Sequence, residues 1–155
     1  WNTYTDTIYA LLEQFNGELP PDRGFIKAWD PVQQKTVWEI EHPGFWNGGM
    51  LTAAGNLLFQ GTGAGRFVAY AADSGKVLWK SEPRQAAHAA ITRAGNTIFS
   101  LEDDSELVVI RLNKERFEPV ARYKVAGSDT WTQPVISGNR IFVKDVTSLT
   151  LWTIN

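Results

Sequence analysis

Few residues in this 155-residue chain could do chemistry, and their spacing decides how far each can be taken. The run Glu102-Asp103-Asp104-Ser105-Glu106 has enough oxygen ligands to suggest calcium. It falls between two strand-like runs, however, where acidic residues ordinarily serve a hairpin turn and guard a sheet edge. Gly61-Thr62-Gly63-Ala64-Gly65 has the glycine content of a phosphate loop, but no helix-spaced segment follows to offer its N-terminal amides. His42 and His88 stand 46 residues apart at equivalent points of a repeat, without metal-ligand spacing. Only a place near a shared axis would let His88 carry a proton. No serine lies in a nucleophile elbow. The chain has no Cys, which excludes disulfides, thiolate zinc and iron–sulfur clusters. These patterns supply no catalytic set and no metal ligands.

The elements that must hold such residues are short strands. Seven Trp, eight Phe and four Tyr are too many for a solvated coil, and the length suits one domain with a buried core. Charge is balanced: residues 1–79 carry 5 basic and 8 acidic side chains, and residues 80–155 carry 10 and 9. Without a basic stripe interleaved with aromatics, nucleic acid is not an expected partner. No apolar run reaches the length of a membrane span.

Gly-Asn recurs at Gly55-Asn56, Gly95-Asn96 and Gly138-Asn139, each time opening the same pattern: AGNLLFQG, AGNTIFSL and SGNRIFVK. Phe59, Phe99 and Phe142 fall in one column, four residues after the glycine. Gly-Asn suits a two-residue hairpin turn, and β-branched and aromatic residues flank it. A unit of about 40 residues with four antiparallel strands is the arithmetic of a β-propeller blade. The expected fold is therefore all-β: a propeller fragment of about three and a half four-stranded blades, roughly 13 strands, with one short N-terminal helix. Residues 1–23 hold the helix and lead-in, 24–42 the outer strands of a blade, 43–82 and 83–124 two blades, and 125–155 a three-stranded last blade. The helix is placed at Thr5–Phe15, where Ile8, Leu11, Leu12 and Phe15 make an apolar stripe behind a Thr5 or Asp6 cap.

A second motif runs in phase with the first. Ala28-Trp29-Asp30-Pro31-Val32-Gln33-Gln34-Lys35-Thr36-Val37-Trp38 and Ala69-Tyr70-Ala71-Ala72-Asp73-Ser74-Gly75-Lys76-Val77-Leu78-Trp79 place Trp38 and Trp79 41 residues apart. The pattern resembles the tryptophan-docking motif of quinoproteins, in which each Trp packs between neighbouring blades. Gln34 stands where Gly is usual and Ala71 where Asp is usual. Residues 21–79 resemble the C-terminal propeller of pyrroloquinoline-quinone (PQQ) dependent alcohol dehydrogenases, most specifically from Trp46-Asn47-Gly48-Gly49 through Gly61-Thr62. Residues 87–155 resemble non-catalytic PQQ-like repeat propellers, including relatives of the outer-membrane-assembly lipoprotein. The change falls near Lys80–Gln85.

The resemblance implies an eight-bladed periplasmic enzyme holding PQQ and calcium on its axis, with this chain as part of its propeller. It places Trp46 and Asn47, at the start of an innermost strand, against the cofactor. The family's calcium ligands and catalytic Asp match no residue here, so the expectation is that this chain alone binds neither group. The alternative is a non-catalytic propeller acting as a protein-interaction scaffold. The expected partners are the remaining blades, a second copy of the chain, or other proteins.

Overall fold

The computed structural model describes residues 9–14, 23–43, 47–83 and 85–154. Among the described residues, thirteen strands fall into four antiparallel sheets that follow one another along the chain. The first sheet pairs β1 (Arg23–Asp30) with β2 (Lys35–Pro43). The second is a meander of β3 (Asn47–Ala53), β4 (Leu57–Thr62), β5 (Phe67–Ala71) and β6 (Val77–Lys80). The third repeats it with β7 (Ala89–Ala94), β8 (Thr97–Glu102), β9 (Glu106–Arg111) and β10 (Pro119–Lys124). The fourth holds β11 (Val135–Ser137), β12 (Arg140–Lys144) and β13 (Leu149–Thr153). The four sheets are successive blades of a partial propeller.

The period-two alternation of the strands builds the stack. Within the second sheet, Leu58, Val68 and Tyr70 face the first sheet and make a core with Ile26. Their sequence neighbours Leu57, Phe59, Phe67 and Ala69 face the other way, joining Trp79 and the third sheet's Ile98, Val108 and Ile110. The third sheet repeats the division: Phe99, Leu101 and Leu107 point to the fourth sheet and pack with Val125, Ile141 and Val143. The middle sheets thus bury both faces of β4, β5, β8 and β9, which is why these strands read as apolar runs. Each such aliphatic or aromatic side chain contributes about 1.5–3 kcal/mol by leaving water.

Trp38 and Trp79 clamp successive sheets in the same way. Each donates its indole N–H to a backbone carbonyl 34 residues ahead, Trp38 to Ala72 at 3.1 Å and Trp79 to Asn113 at 3.0 Å. Trp79 is 7% exposed and meets the rings of Phe59, Phe67 and Phe117 at centroid distances of 5.8–5.9 Å. Trp38 is half-buried and lies on Gly75, where an added Cβ would come within 2.7 Å of the indole and where φ is +71°. That double constraint explains the glycine at this turn position. Gln34, the equivalent residue one blade earlier, also adopts positive φ, at 51°.

Two local expectations need correction or restriction. The Gly95-Asn96 and Gly138-Asn139 turns are two-residue loops, as Ala94↔Thr97 and Ser137↔Arg140 pair across them. At Gly55-Asn56 the closing pair is Ala53↔Leu57, so the loop has three residues, with positive φ at both Gly55 and Asn56. Residues 9–14 are helical, with Leu11 exposed and Leu12 half-buried. Thr5, Asp6, Ile8 and Phe15 lie outside the described residues.

Candidate functional site

The innermost strands β3 and β7 begin on the same side of the stack, and a cavity of about 560 Å³ opens there between the second and third sheets. Asn47 opens β3. Its side-chain Oδ1 accepts the Gly63 N–H at 3.0 Å, tying the strand to the β4–β5 turn. A bulge follows: Asn47 pairs with Thr62 but Met50 with Gln60, leaving Gly48-Gly49 as the irregular pair. A Cβ on Gly48 would stand 2.9 Å from the Gly61 carbonyl oxygen, so only glycine lets the strands approach so closely. Gln60 Nε2 donates to the Gly48 carbonyl at 2.9 Å. Asn47 and Gly48 also line a smaller cavity of about 280 Å³ beside the first sheet, together with His42. Trp46 lies outside the described residues.

The larger cavity has apolar walls that include Phe67, Ile91, Ile110 and Phe117, and its lining includes a carboxyl group, that of Glu102. Sequence reasoning assigned Glu102 to an exposed acidic turn. The structure corrects this: Glu102 ends β8 and is 3% exposed. The segment that follows β10 closes over it. Thr130 donates its hydroxyl to the Glu102 carbonyl, and the Thr130 N–H reaches the Asp103 carbonyl at 3.2 Å.

The same column in the next sheet holds Asp145, whose carboxylate accepts the Thr147 and Ser148 amides of its own turn. Those turn amides, Ser148 first, hold Asp145 down to about 2, well below the usual carboxylate range. Glu102 has no such partner, and its Oε2 receives no hydrogen bond. Arg122 Nη1 is 3.8 Å away, but that nitrogen already lies 2.5 Å from Glu106, and Nη2 donates to Gln85 at 2.8 Å.

Burial therefore pushes the Glu102 carboxyl up from the ordinary 4.5 to about 7, against the pull of Arg122, with Glu106, Asp104 and Asp103 adding repulsion. The native state binds this proton more tightly than the unfolded chain does. Stability is consequently greatest below pH 4.5 as far as this group is concerned, and it falls as pH rises through about 7. The loss should be about 2 kcal/mol, after discounting for water at the cavity mouth. Urea titrations from pH 5 to 8 should show it, and Glu102→Gln should flatten the slope and leave the protein more stable than wild type at pH 8. An unchanged slope would mean that Glu102 stays ionised in the fold.

At the cavity mouth the exposed rings of His88 and Trp131 meet at 4.7 Å and 44°. His42, by contrast, is buried at the end of β2 beside the smaller cavity. The structure does not bring the two histidines together. In the Gly61–Gly65 segment Gly61 still belongs to β4, and Thr62–Gly65 is a β-turn, with the Gly65 N–H on the Thr62 carbonyl at 2.9 Å. Among the described residues, no group of three or more His, Asp or Glu side chains is arranged to hold a metal ion. Nor is any described helix long and apolar enough to cross a membrane.

Comparison with known proteins gives this geometry its context. A family model for PQQ repeats, described as outer membrane protein assembly factor BamB, matches residues 22–145. The chain is 52% identical over 67 residues to quinohemoprotein alcohol dehydrogenase ADH IIB of Pseudomonas putida, which covers 43% of this chain and 10% of that protein. It is 54% identical over 69 residues to the quinohemoprotein alcohol dehydrogenase of Comamonas testosteroni, with the same coverage of 43% and 10%. The chain thus matches about a tenth of the length of these relatives. In fold it is similar to BamB from Moraxella catarrhalis, with a TM-score of 0.63 at 16% identity over 84% of this chain and 44% of that one.

Proposed function

Because this chain belongs to the PQQ-repeat family described as outer membrane protein assembly factor BamB, we propose that it forms the non-catalytic blades of a quinoprotein alcohol dehydrogenase propeller. The observation that carries the reading is the 52–54% identity to two quinohemoprotein alcohol dehydrogenases over 67 and 69 residues. In such a ring the chain's work is mechanical. Trp38 and Trp79 lock blade to blade, and the Gly48-Gly49 bulge holds the start of an innermost strand at the axial end. Trp46 and Asn47 are the residues proposed to touch PQQ there, and the protein is proposed to work in the periplasm.

The cavity beside Asn47 does not itself fit PQQ, a planar quinone with three carboxylates. Its buried ionisable group is another carboxyl, Glu102. Arg66 spends Nη1 on the Ser81 carbonyl at 2.7 Å, and Gln85 spends Nε2 on the Glu82 carbonyl at 3.1 Å. Catalysis, the calcium ion and most cofactor contacts are accordingly assigned to other blades of the whole protein. PQQ titrated into this chain with calcium present, followed by quenching of Trp fluorescence, is expected to show no saturable binding below millimolar concentration. Micromolar binding that Asn47→Ala abolishes would show that the chain builds a cofactor site by itself, and would overturn the assignment.

The alternative reading, an interaction scaffold, is favoured by one specific observation. The outward face of the fourth sheet carries an apolar row across all three strands, Val135–Phe142–Leu151, of which Val135 and Leu151 are 60% and 51% exposed. A partner protein could use that row as readily as another blade.

A further inference from the structure

We propose that the cavity between the second and third sheets is a binding site for a small organic cation, an ammonium group carried on an aromatic or aliphatic body. The proposal stands on the cavity itself and does not depend on the dehydrogenase reading. A carboxylate oxygen that is buried and receives no hydrogen bond is a costly feature, since a desolvated acceptor loses its water without replacement. The neighbouring guanidinium does not remedy this: Arg122 is committed to Glu106 and Gln85. What would satisfy Glu102 is a donor that arrives through the cavity.

The rest of the cavity selects the kind of donor. A calcium ion takes six or more oxygen ligands, and a lone carboxyl cannot supply them. An anion would meet Glu102 directly, with Asp103 and Asp104 in the adjoining turn, and the lining's guanidinium on Arg66 is drawn off to the Ser81 carbonyl. A cation finds the opposite field. It also finds the exposed Trp131 ring at the mouth, tilted against His88, where an indole face attracts an ammonium group. The walls of Phe67, Ile110 and Phe117 accept an apolar body, which a bare ammonium ion lacks. Ionic head, aromatic rim and apolar wall together describe an alkyl- or arylammonium ligand.

Benzylammonium is a suitable probe, with benzyl alcohol and benzoate as neutral and anionic matches of the same body. Titrated into the 15N-labelled chain at pH 8, benzylammonium is expected to shift the indole resonance of Trp131 saturably. It should bind at least about tenfold more tightly than benzyl alcohol or benzoate. Glu102→Gln should remove that preference while the circular dichroism spectrum stays unchanged. Trp131→Ala, at an exposed position that the core does not need, should weaken benzylammonium binding while leaving the pH dependence of stability intact. Equal affinities for the three probes, no binding of any, or an unaltered preference in Glu102→Gln would each overturn the proposal.

Discussion

Trp79→Ala is expected to lower the free energy of unfolding by about 3–5 kcal/mol, the range for truncating a large aromatic side chain in a packed core. The indole is 7% exposed and fills the space among Phe59, Phe67 and Phe117, drawn from three different strands and loops. Its removal leaves a cavity at the junction of the second and third sheets and strands the Asn113 carbonyl that it now satisfies. Against a typical domain stability of roughly 5–15 kcal/mol, such a loss approaches unfolding. Trp38 makes the same hydrogen bond but is half-buried, so Trp38→Ala should cost less, about 1–3 kcal/mol. Chemical denaturation of both variants checks the order. A Trp79→Ala protein within about 1 kcal/mol of wild type would mean that the two sheets do not depend on this clamp.

The docking tryptophans were legible before any coordinates because their logic is local and periodic. Lys35 to Trp38 and Lys76 to Trp79 repeat at one spacing, and the Gly-Asn turns recur in phase with them. A blade is a meander of sequence neighbours, so strand order needs no long-range information. The alternation in LLF and FVAYA likewise divides residues between two faces without further knowledge.

Glu102 was illegible for the converse reason. Its own segment, Glu102-Asp103-Asp104-Ser105-Glu106, has the composition of an exposed turn, and Asp104 is indeed exposed there. Burial comes from Thr130 and its neighbours, nearly thirty residues on, which fold back over the end of β8. Local composition carries no record of that cover. The hint was the column itself: Thr62, Glu102 and Asp145 each lie three residues after the repeated Phe. Thr62 and Asp145 both serve their own turns, Thr62 through its hydroxyl on the Arg66 N–H, while Glu102 is left facing inward.

The isolated chain is expected to self-associate through the outward face of its fourth sheet. Phe59 and Phe99 occupy the position of Phe142 in the two preceding blades, and each is buried because the next sheet covers it. No described sheet covers Phe142, and its cross-strand neighbours Val135 and Leu151 are exposed beside it, as is Leu149 at 68%. A contiguous apolar row of this kind seeks cover. The opposite end of the stack is protected differently. On the outward face of the first sheet, the cationic groups of Arg23 and Lys27 lie over Phe25 at 5.1 and 5.7 Å, and both residues pair with glutamates, Glu41 and Glu39. Charge on a terminal sheet opposes edge-to-edge and face-to-face association. Association should therefore run through the fourth sheet, and a second copy should stand in for the blade that would cover it in a complete ring. Light scattering coupled to size exclusion is expected to find species heavier than one chain, shifting to monomer in a Phe142→Asp, Leu151→Asp double variant. Reversing Arg23 and Lys27 to glutamate should not produce that shift. A wild-type chain that runs as a single stable monomer would show that the Val135–Phe142–Leu151 row needs no covering blade.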